Sequence, residues 1–401
     1  MPRTKRRQQN EFIRTKVSNT PRQRFILISV VILVAVCGLH FLFQSQAATF
    51  AVASEAENGT KAGNASSVAD TGASSGNAVK FGGSVPSQCA KGGSFLWANL
   101  ESCGWPGPKN TGPLVSQCPG GTLTANSGSL TRTITVTTAN TVISCENITG
   151  RLDIKASNVT IKNVLISGSS GQTGTNANGT SVIYVEDGAS ATIQNVTING
   201  NSGVHACVWH QGTSLMVDAI NCYGIDDGVF SWADTSFSQT TGDGFTVKNS
   251  YFHDFTVKTA NGHIDGYQTE GANNGMIDHN TFLMTSDSGN DSDSAVAIWD
   301  SLKSSNNITV QNNLIAGGGF AIYAEDYSPS ESSPSGGFTV KNIFYKNNDF
   351  STYLFSCVGS FGIWYPRGAP SDQWNRTGNT VLETSENVDN GNPHVNGSLC
   401  N

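Results

Sequence analysis

The chain has 401 residues, of which only 13% are charged and 44 are glycine. This composition favours short strands and tight turns over amphipathic helices, so we expect an all-β protein. The net charge of −7 becomes −14 once the basic N-terminal flank is set aside, which argues against nucleic acid as a partner. No glycine-rich phosphate loop lies between a strand and a helix, so neither a nucleotide nor a redox cofactor is predicted.

The N-terminus joins a basic flank to an apolar run. Residues 1–24 carry eight Lys or Arg and one acid, Glu11, and residues 25–43 are predominantly apolar. The pattern predicts a transmembrane anchor with its N-terminus in the cytoplasm, or the apolar region of a signal peptide cleaved near residues 45–48. A buried core helix is the structural alternative. With an anchor or a signal peptide, the body is extracellular, either secreted or held at the cell surface.

Residues 48–104 are predicted to form a polar linker that contains cysteines. Eight of the nine cysteines lie beyond the apolar run, an even number in a compartment where disulfides form. Cys89 with Cys103 and Cys207 with Cys222 are candidate pairs, and the overall connectivity stays open. No Cys-x-x-Cys pair occurs, so a zinc site is not favoured.

Part of this linker, residues 50–83, is similar to a known module. Glu55-Ala56-Glu57, Val68-Ala69-Asp70 and Val79-Lys80-Phe81 resemble the opening of carbohydrate-binding modules of the β-sandwich type. The likeness ends where the cysteine-rich stretch begins, so only a fragment of such a module is present. The resemblance implies sugar binding, and the alternative is a polar stalk without a binding role.

From about Thr133 the sequence repeats a template of alternating apolar residues followed by Asn. The template position is held by Asn163, Asn195, Ala219, Asn249, His279, Asn312 and Asn342. The intervals of 32, 24, 30, 30, 33 and 30 residues, with apolar residues two apart, predict stacked parallel β-coils joined by loops of varying length. Asn side chains stacked at a bend can hydrogen-bond along the axis, so we interpret them as a structural ladder.

The repeated segments carry a resemblance to a known superfamily. VTIKNVLI from Val159, ATIQNVTI from Ala191 and FTVKNSYF from Phe245 resemble the right-handed parallel β-helix superfamily that includes pectate lyases. The resemblance covers residues 105–401 and implies a right-handed parallel β-helix solenoid behind the N-terminal membrane-spanning or signal helix. It also implies a polysaccharide or cell-surface glycan as the partner. Because one fold hosts many functions, it does not name a reaction.

Unusual side chains precede the template strand in consecutive coils and would form a stripe along the solenoid. Aromatic rings stack on sugars and polar groups bind hydroxyls, so we predict substrate binding by Trp209, His210, Trp232, Tyr267, Gln268, Trp299 and Tyr323. The predicted acid and base groups are Asp227, His263 and Asp265. Asp227, Asp265 and Asp300 can together supply oxygen ligands for Ca²⁺, and the alternative is that no cofactor is required.

The spacing of the carboxylates limits what they can do. Asp227 and Asp265 are expected one coil apart, about 5 Å from each other, as in a retaining glycosidase or a shared cation site. Strict alternation along a strand would let either Asp226 or Asp227 join this site, but not both. A turn role is the alternative for the two Asp-Gly pairs at 227–228 and 265–266. His205, His210 and Trp299 can likewise be packed without function.

Two reaction classes and one binding role remain open. Asp-Asp-Gly at 226–228 and Gly262-His263 are similar to motifs of polygalacturonase-type hydrolases, although Ile264 replaces a glycine and the exported body has no Arg-x-Lys segment. A lyase would need a cation to neutralise a uronate, and a base such as His263 or Tyr267. We therefore predict a monomeric polysaccharide lyase or glycoside hydrolase. The alternative is a non-catalytic adhesin or glycan-binding rod.

Overall fold

The computed structural model describes residues 66–69, 77–80, 85–169, 181–231, 242–256, 264–285, 292–300, 302–324, 338–365 and 374–400. The chain divides into two compact units, residues 1–83 and 84–401. In the first unit the described residues form one antiparallel strand pair. The predicted anchor or signal helix at 25–43 lies outside the described residues. Among those described, no helix is both long and apolar enough to cross a bilayer.

The described chain is almost entirely β-structure, as the composition predicts. Its strands are β1 (Ser66–Ala69), β2 (Asn77–Lys80), β3 (Thr124–Asn126), β4 (Thr133–Val136), β5 (Val142–Ser144), β6 (Glu146–Thr149), β7 (Arg151–Ile154), β8 (Val159–Ser167), β9 (Ser181–Val185), β10 (Ser190–His210), β11 (Ser214–Asp218), β12 (Asn221–Ser231), β13 (Phe245–Lys248), β14 (Tyr251–Phe252), β15 (Ile264–Thr269), β16 (Asn273–Asp278), β17 (Thr281–Met284), β18 (Ser292–Ile298), β19 (Ser305–Gln311), β20 (Leu314–Gly317), β21 (Phe320–Ala324), β22 (Val340–Lys346), β23 (Asp349–Phe350), β24 (Gly362–Trp364), β25 (Trp374–Thr377), β26 (Thr380–Val381), β27 (Glu386–Asn387), β28 (His394–Val395) and β29 (Ser398–Leu399). The helix α1 is Gly93–Ala98, and short 3-10 turns are Cys89–Lys91, Glu101–Cys103, Val115–Gln117 and Pro119–Gly121.

Parallel pairing arranges most strands into three sheets that run along a solenoid. Sheet A contains β5, β11, β13, β16, β19, β22 and β25; sheet B contains β3, β6, β14, β17, β20, β23 and β26; sheet C contains β4, β7, β9, β15, β18, β21 and β24. The long strands β8, β10 and β12 bend and contribute to more than one sheet. Each coil passes through sheets A, B and C and pairs with the next, which confirms the predicted β-helix-like solenoid of parallel coils.

The interior is filled by apolar side chains stacked in register from coil to coil. In sheet C one such column is Val208, Val229, Tyr267, Val296 and Ile322, all fully buried. Burying one side chain of this size stabilises the fold by about 1.5–3 kcal/mol. Many coils each contribute several such residues, so the core grows with the number of repeats.

The bend between sheets A and B is a column of residues with left-handed backbone conformation. Its members Cys145, Asn163, Asn195, Ala219, Asn249, His279, Asn312, Asn347 and Gly378 have φ between 51° and 73°. Asn suits this position because its short polar side chain tolerates left-handed φ. The template matched six of these positions, but its seventh was wrong. Lys346 pairs with Gln311, so Asn347 rather than Asn342 continues the column.

A ladder of buried Asn side chains lies one residue after this bend. Asn280, Asn313, Asn348 and Asn379 are fully buried. Each of the last three accepts, through its Oδ1, hydrogen bonds from the backbone N and the Nδ2 of the preceding member at 2.9–3.1 Å. Asp389 Oδ1 closes the ladder by accepting from Asn379 Nδ2 at 2.7 Å. This buried ladder lies one residue after the bend, and at the predicted template position itself His279 Nδ1 contacts Asn249 Oδ1 at 2.8 Å along the axis.

Residues 89–114, which we call the strap, cross sheet B from its last coil toward its N-terminal coils. The Gly93 N–H donates to Glu383 Oε1 at 2.9 Å, and further along the strap the Leu114 N–H donates to Asn163 Oδ1 at 3.2 Å. Between these points Leu96 and Leu100 pack with Leu314 of β20 in a small apolar cluster. Residues 85–104, which the sequence placed in the linker, thus belong to the compact unit of the solenoid.

Four disulfides join the eight cysteines beyond the apolar run. They are Cys89–Cys103, Cys118–Cys145, Cys207–Cys222 and Cys357–Cys400. The two pairs predicted from the sequence are confirmed. The disulfides indicate an oxidising environment, as expected for a protein exposed outside the cytoplasm.

Candidate functional site

The candidate site begins on the outer face of sheet C. Parallel pairing places Ala206, Asp227, Asp265 and Ser294 side by side on β10, β12, β15 and β18. Ala206 packs in a small cluster with Trp209 and Phe230 that is separate from the main core. The column therefore faces outward, and the predicted pairing of Asp227 with Asp265 on adjacent coils is confirmed.

The two Asp-Gly pairs do not form turns. Asp227-Gly228 lies inside β12, and Asp265-Gly266 lies inside β15. A Cβ at Gly228 would lie 2.6 Å from Cδ1 of Phe252 in the core, and one at Gly266 would collide with Phe282 in the same way. The glycines are thus explained by packing, because only glycine leaves room for these two rings. Turn formation does not account for the two carboxylates beside them.

His205 connects the carboxylates to solvent. Its Nδ1 lies 3.2 Å from Asp226 Oδ2, and its Nε2 lies 3.1 Å from Asp227 Oδ2. The side chain of His205 is 31% exposed, whereas those of Asp226 and Asp227 are at most 1% exposed. The contact between Nδ1 and Asp226 Oδ2 is a hydrogen bond, and Nε2 lies within ion-pair distance of Asp227 Oδ2.

Only Asp227 pairs with Asp265, as strict alternation predicts, but both Asp226 and Asp227 reach His205. The reason is the shape of β12, which leaves sheet B and enters sheet C just before these residues. Strict alternation of side chains holds within a flat strand, but the backbone turns here. The two neighbouring carboxylates therefore contact one ring instead of lying on opposite faces.

The hydrogen bonds behind Asp227 fix its orientation. The backbone N–H of Asp265 donates to Asp227 Oδ1 at 3.1 Å, and the Ser294 hydroxyl hydrogen-bonds to Asp265 Oδ1. Asp226, Asp227 and Asp265 are all fully buried. Burying a carboxylate costs several kcal/mol unless it is compensated, so this cluster is expensive for the fold. Such groups mark candidate functional sites.

A second outward column lies three residues further along the same strands. It contains Tyr184, Trp209, Phe230, Gln268, Ala297 and Tyr323. The His205 ring packs edge-on against Phe230, with centroids 5.9 Å apart, and against Trp209 at 6.3 Å. Of the predicted sugar-binding residues, Trp209, Gln268 and Tyr323 share this column. Trp209 and Gln268 are buried, and Tyr323 is partly exposed.

Two other predicted sugar-binding residues point into the solenoid. Tyr267 is fully buried and stacks on Phe245 with centroids 4.9 Å apart, and burial raises the pKa of its hydroxyl well above the ordinary value. His210 is fully buried, its Nε2 lies 3.2 Å from the carbonyl of Asp243, and burial lowers its pKa to about 4. Both side chains are therefore buried within the protein and do not face a ligand on the outer side of sheet C.

The structure describes Asp300, the third predicted metal ligand. Asp300 follows Ser294 by six residues, most of them in extended β18, which separates it by about 20 Å of chain from the Asp227 and Asp265 column. The structure thus does not bring Asp300 to the other two carboxylates. Within the described ranges, no group of three or more His, Cys, Asp or Glu is arranged to hold a metal ion. His263 and Trp232 lie outside the described residues.

The sequence offered Asp226 only as an alternative to Asp227 and allowed His205 to be packed without function, and it did not single out Ser294. His205 lies 21 residues before Asp226, which is shorter than any interval of the template, so the spacing did not relate the two residues. Ser294 gave no signal either, since a serine in a chain rich in serine is not distinctive.

Compared with known proteins, the chain matches no family model and no curated protein sequence significantly.

Proposed function

We propose that this chain is an extracytoplasmic polysaccharide-active enzyme that binds an extended glycan along sheet C and cleaves it by acid–base catalysis. The observation that carries the proposal is His205, partly exposed, with both ring nitrogens in contact with buried carboxylates. A titratable ring at the surface with fixed partners behind it is the arrangement that proton transfer to a bound substrate needs.

His205 is the group that meets the substrate in this proposal, and Asp226 and Asp227 are positioning residues. The carboxylates hold the imidazole in one orientation and stabilise its protonated form, as an aspartate does for a catalytic histidine in hydrolases. In the proposed step the leaving oxygen takes the place of Asp227 Oδ2 at Nε2, while Asp226 keeps its contact with Nδ1. Nε2 then gives its proton to that oxygen as the glycosidic bond breaks. Water then adds to the sugar, and its released proton restores the ring.

Charge favours hydrolysis of an uncharged glycan over elimination from a uronate. A lyase must neutralise the uronate carboxylate before it removes the neighbouring proton. Here the body carries a net charge of −14, and three buried carboxylates lie beside His205. These charges repel an acidic polymer. Ca²⁺ held by Asp227 and Asp265 would change that balance, so the test includes the cation.

The wider assignment follows from the same features. We infer that the solenoid is right-handed, because crossover connections between parallel strands are right-handed in nearly all proteins. The resemblance of the repeated segments supports the superfamily that includes pectate lyases. The four disulfides and the apolar run at 25–43 support a secreted or membrane-anchored location.

The test is a product assay on the body from about Ala48 onward, with mixed-linkage β-glucan, xylan and polygalacturonate, each with and without Ca²⁺. We expect new reducing ends from a neutral polymer without the ultraviolet absorbance of unsaturated sugars. His205→Gln should abolish turnover while the protein stays folded. The matched control is His394→Gln, since His394 also contacts a carboxylate, Glu386 Oε1 at 2.8 Å, at the far end of the chain.

Other outcomes point to other functions. Unsaturated products from polygalacturonate that require Ca²⁺ would replace hydrolysis by a lyase reaction. Full turnover in His205→Gln would remove His205 from catalysis. No turnover on any polymer, with glycan binding retained, would favour the second candidate, a non-catalytic adhesin or glycan-binding rod. In that case the aromatic residues of the second outward column alone make the contacts.

A further inference from the structure

Five aromatic rings come together beside the C-terminal strands of sheet C. Tyr323 stacks on Tyr365 with centroids 4.4 Å apart, and Trp299 meets Tyr323 edge-on at 6.4 Å. Phe320 contacts Tyr323, Phe361 and Tyr365 at centroid distances of 5.7, 5.6 and 5.2 Å. We call these five residues the aromatic platform. Only Trp299 and Tyr323 were singled out from the sequence.

Four rings of the aromatic platform reach solvent, unlike the rings that pack against His205, and Phe320, 7% exposed, lies beneath them. Phe361 is 52% exposed, and Trp299, Tyr323 and Tyr365 are partly exposed. Trp209 and Phe230, by contrast, are 5% and 3% exposed. Exposed apolar rings are unfavourable in water, and covering them with a ligand is favourable. Clusters of exposed rings therefore mark interaction sites.

The position of the platform relates it to His205. Phe230, which packs on His205, and Tyr323 occupy the same outward column, separated by Gln268 and Ala297. Three coil steps correspond to about 14 Å along the solenoid axis. This distance matches a di- or trisaccharide, so one glycan chain lying along the axis can contact both places.

We propose that the aromatic platform binds the flat faces of uncharged pyranose units, at a subsite remote from the bond that is cleaved. The inference rests on the proposed function and adds its substrate class, a long neutral polysaccharide. The C–H faces of pyranoses stack on aromatic rings, and the hydroxyls of Tyr323 and Tyr365 can hydrogen-bond to sugar hydroxyls. Uronates carry charge that the acidic body repels, whereas neutral sugars do not.

Binding is tested separately from turnover by using His205→Gln as the parent protein. Its migration is measured in native gels that contain mixed-linkage β-glucan, xylan or polygalacturonate. We expect retardation by a neutral polymer and an about tenfold weaker apparent Kd after Phe361→Ala, since one stacked ring contributes on the order of that factor. The matched control is Tyr353→Ala, because Tyr353 is also exposed, at 45%, but stacks on Trp97 of the strap.

Each outcome decides the inference. Loss of retardation in Phe361→Ala but not in Tyr353→Ala supports the platform, even if the wild-type protein cleaves nothing, in which case the enzyme proposal alone fails. Equal retardation of both variants, no retardation of the parent by either neutral polymer, or retardation by polygalacturonate alone would each overturn the inference. If wild-type turnover is then still observed, the enzyme proposal stands without the platform.

Discussion

Sheets B and C belong to the same coils, but their outer faces are used differently. Sheet B is covered by the strap, whose Leu96 and Leu100 pack with Leu314. Sheet C carries buried carboxylates, a partly exposed histidine and exposed rings on its outer face. One face therefore contributes to stability, and the other holds groups that are costly for the fold. In this solenoid the stabilising contacts and the candidate functional groups thus lie on different faces.

The largest effect is expected beside sheet B, in the Asn ladder. Asn313→Ala removes two donors and leaves the amide and backbone of Asn280 without their acceptor. Leaving buried polar groups unsatisfied costs about 1–3 kcal/mol each, so we expect a loss of about 4 kcal/mol in unfolding free energy. Urea unfolding measures it. In the control Asn307→Gly, an exposed position with positive φ, the loss should stay near 0.5 kcal/mol.

A somewhat smaller effect is expected in the strap. Its residue Leu96 is fully buried against sheet B, and the Leu96→Ala substitution should cost about 3 kcal/mol through lost apolar burial and a cavity. Its neighbour Phe95 is 39% exposed on the same helix, so Phe95→Ala should change stability by less than about 0.5 kcal/mol. Similar unfolding midpoints for the two variants would mean that the strap does not stabilise sheet B.

Sheet C should make stability depend on pH through His210. Burial holds the pKa of His210 at about 4 in the folded protein, below its ordinary value of 6.5. As pH falls below 6.5, the unfolded chain binds a proton that the folded chain does not, so stability falls until about pH 4. The loss reaches about 2 kcal/mol by pH 5. Urea midpoints of the wild type and His210→Gln should converge as pH falls, and parallel curves would contradict the prediction.

Local pattern was enough to predict the coils, and much of the site was beyond it. Apolar residues two apart predicted the inward columns, and repeated Asn residues marked the bend because left-handed φ selects that residue. The Asp227 and Asp265 pairing was also predictable. The template failed at Asn342, because the same motif of an apolar residue, Lys and Asn also occurs inside β22, where Asn342 has positive φ and its Nδ2 donates to Asn306 Oδ1 at 2.8 Å.

The groups that join distant segments could not be placed from the sequence. His205 lies 21 residues from Asp226, whereas Asp227 lies 38 from Asp265, so loops of unequal length hide the register. Both aspartates reach one ring only because β12 bends between two sheets. Residues 89–104 of the strap were assigned to a linker because their partners lie up to 290 residues away, and nothing in their own composition identifies them.

The smallest effect on stability is expected for Phe361→Ala, which tests the difference between the outer faces of sheets B and C directly. Phe361 is 52% exposed, so its removal forfeits little burial, and we expect a change within about 0.5 kcal/mol in urea unfolding. Trp97→Ala in the strap removes a ring stacked on Tyr353 and a hydrogen bond to Ser351 Oγ, and should cost about 3 kcal/mol. If Phe361→Ala cost as much as Trp97→Ala, the rings beside sheet C would be structural. The proposed difference between a stabilising face on sheet B and a binding face on sheet C would then be wrong. A negligible cost, together with weakened glycan retardation, would show rings kept for binding alone.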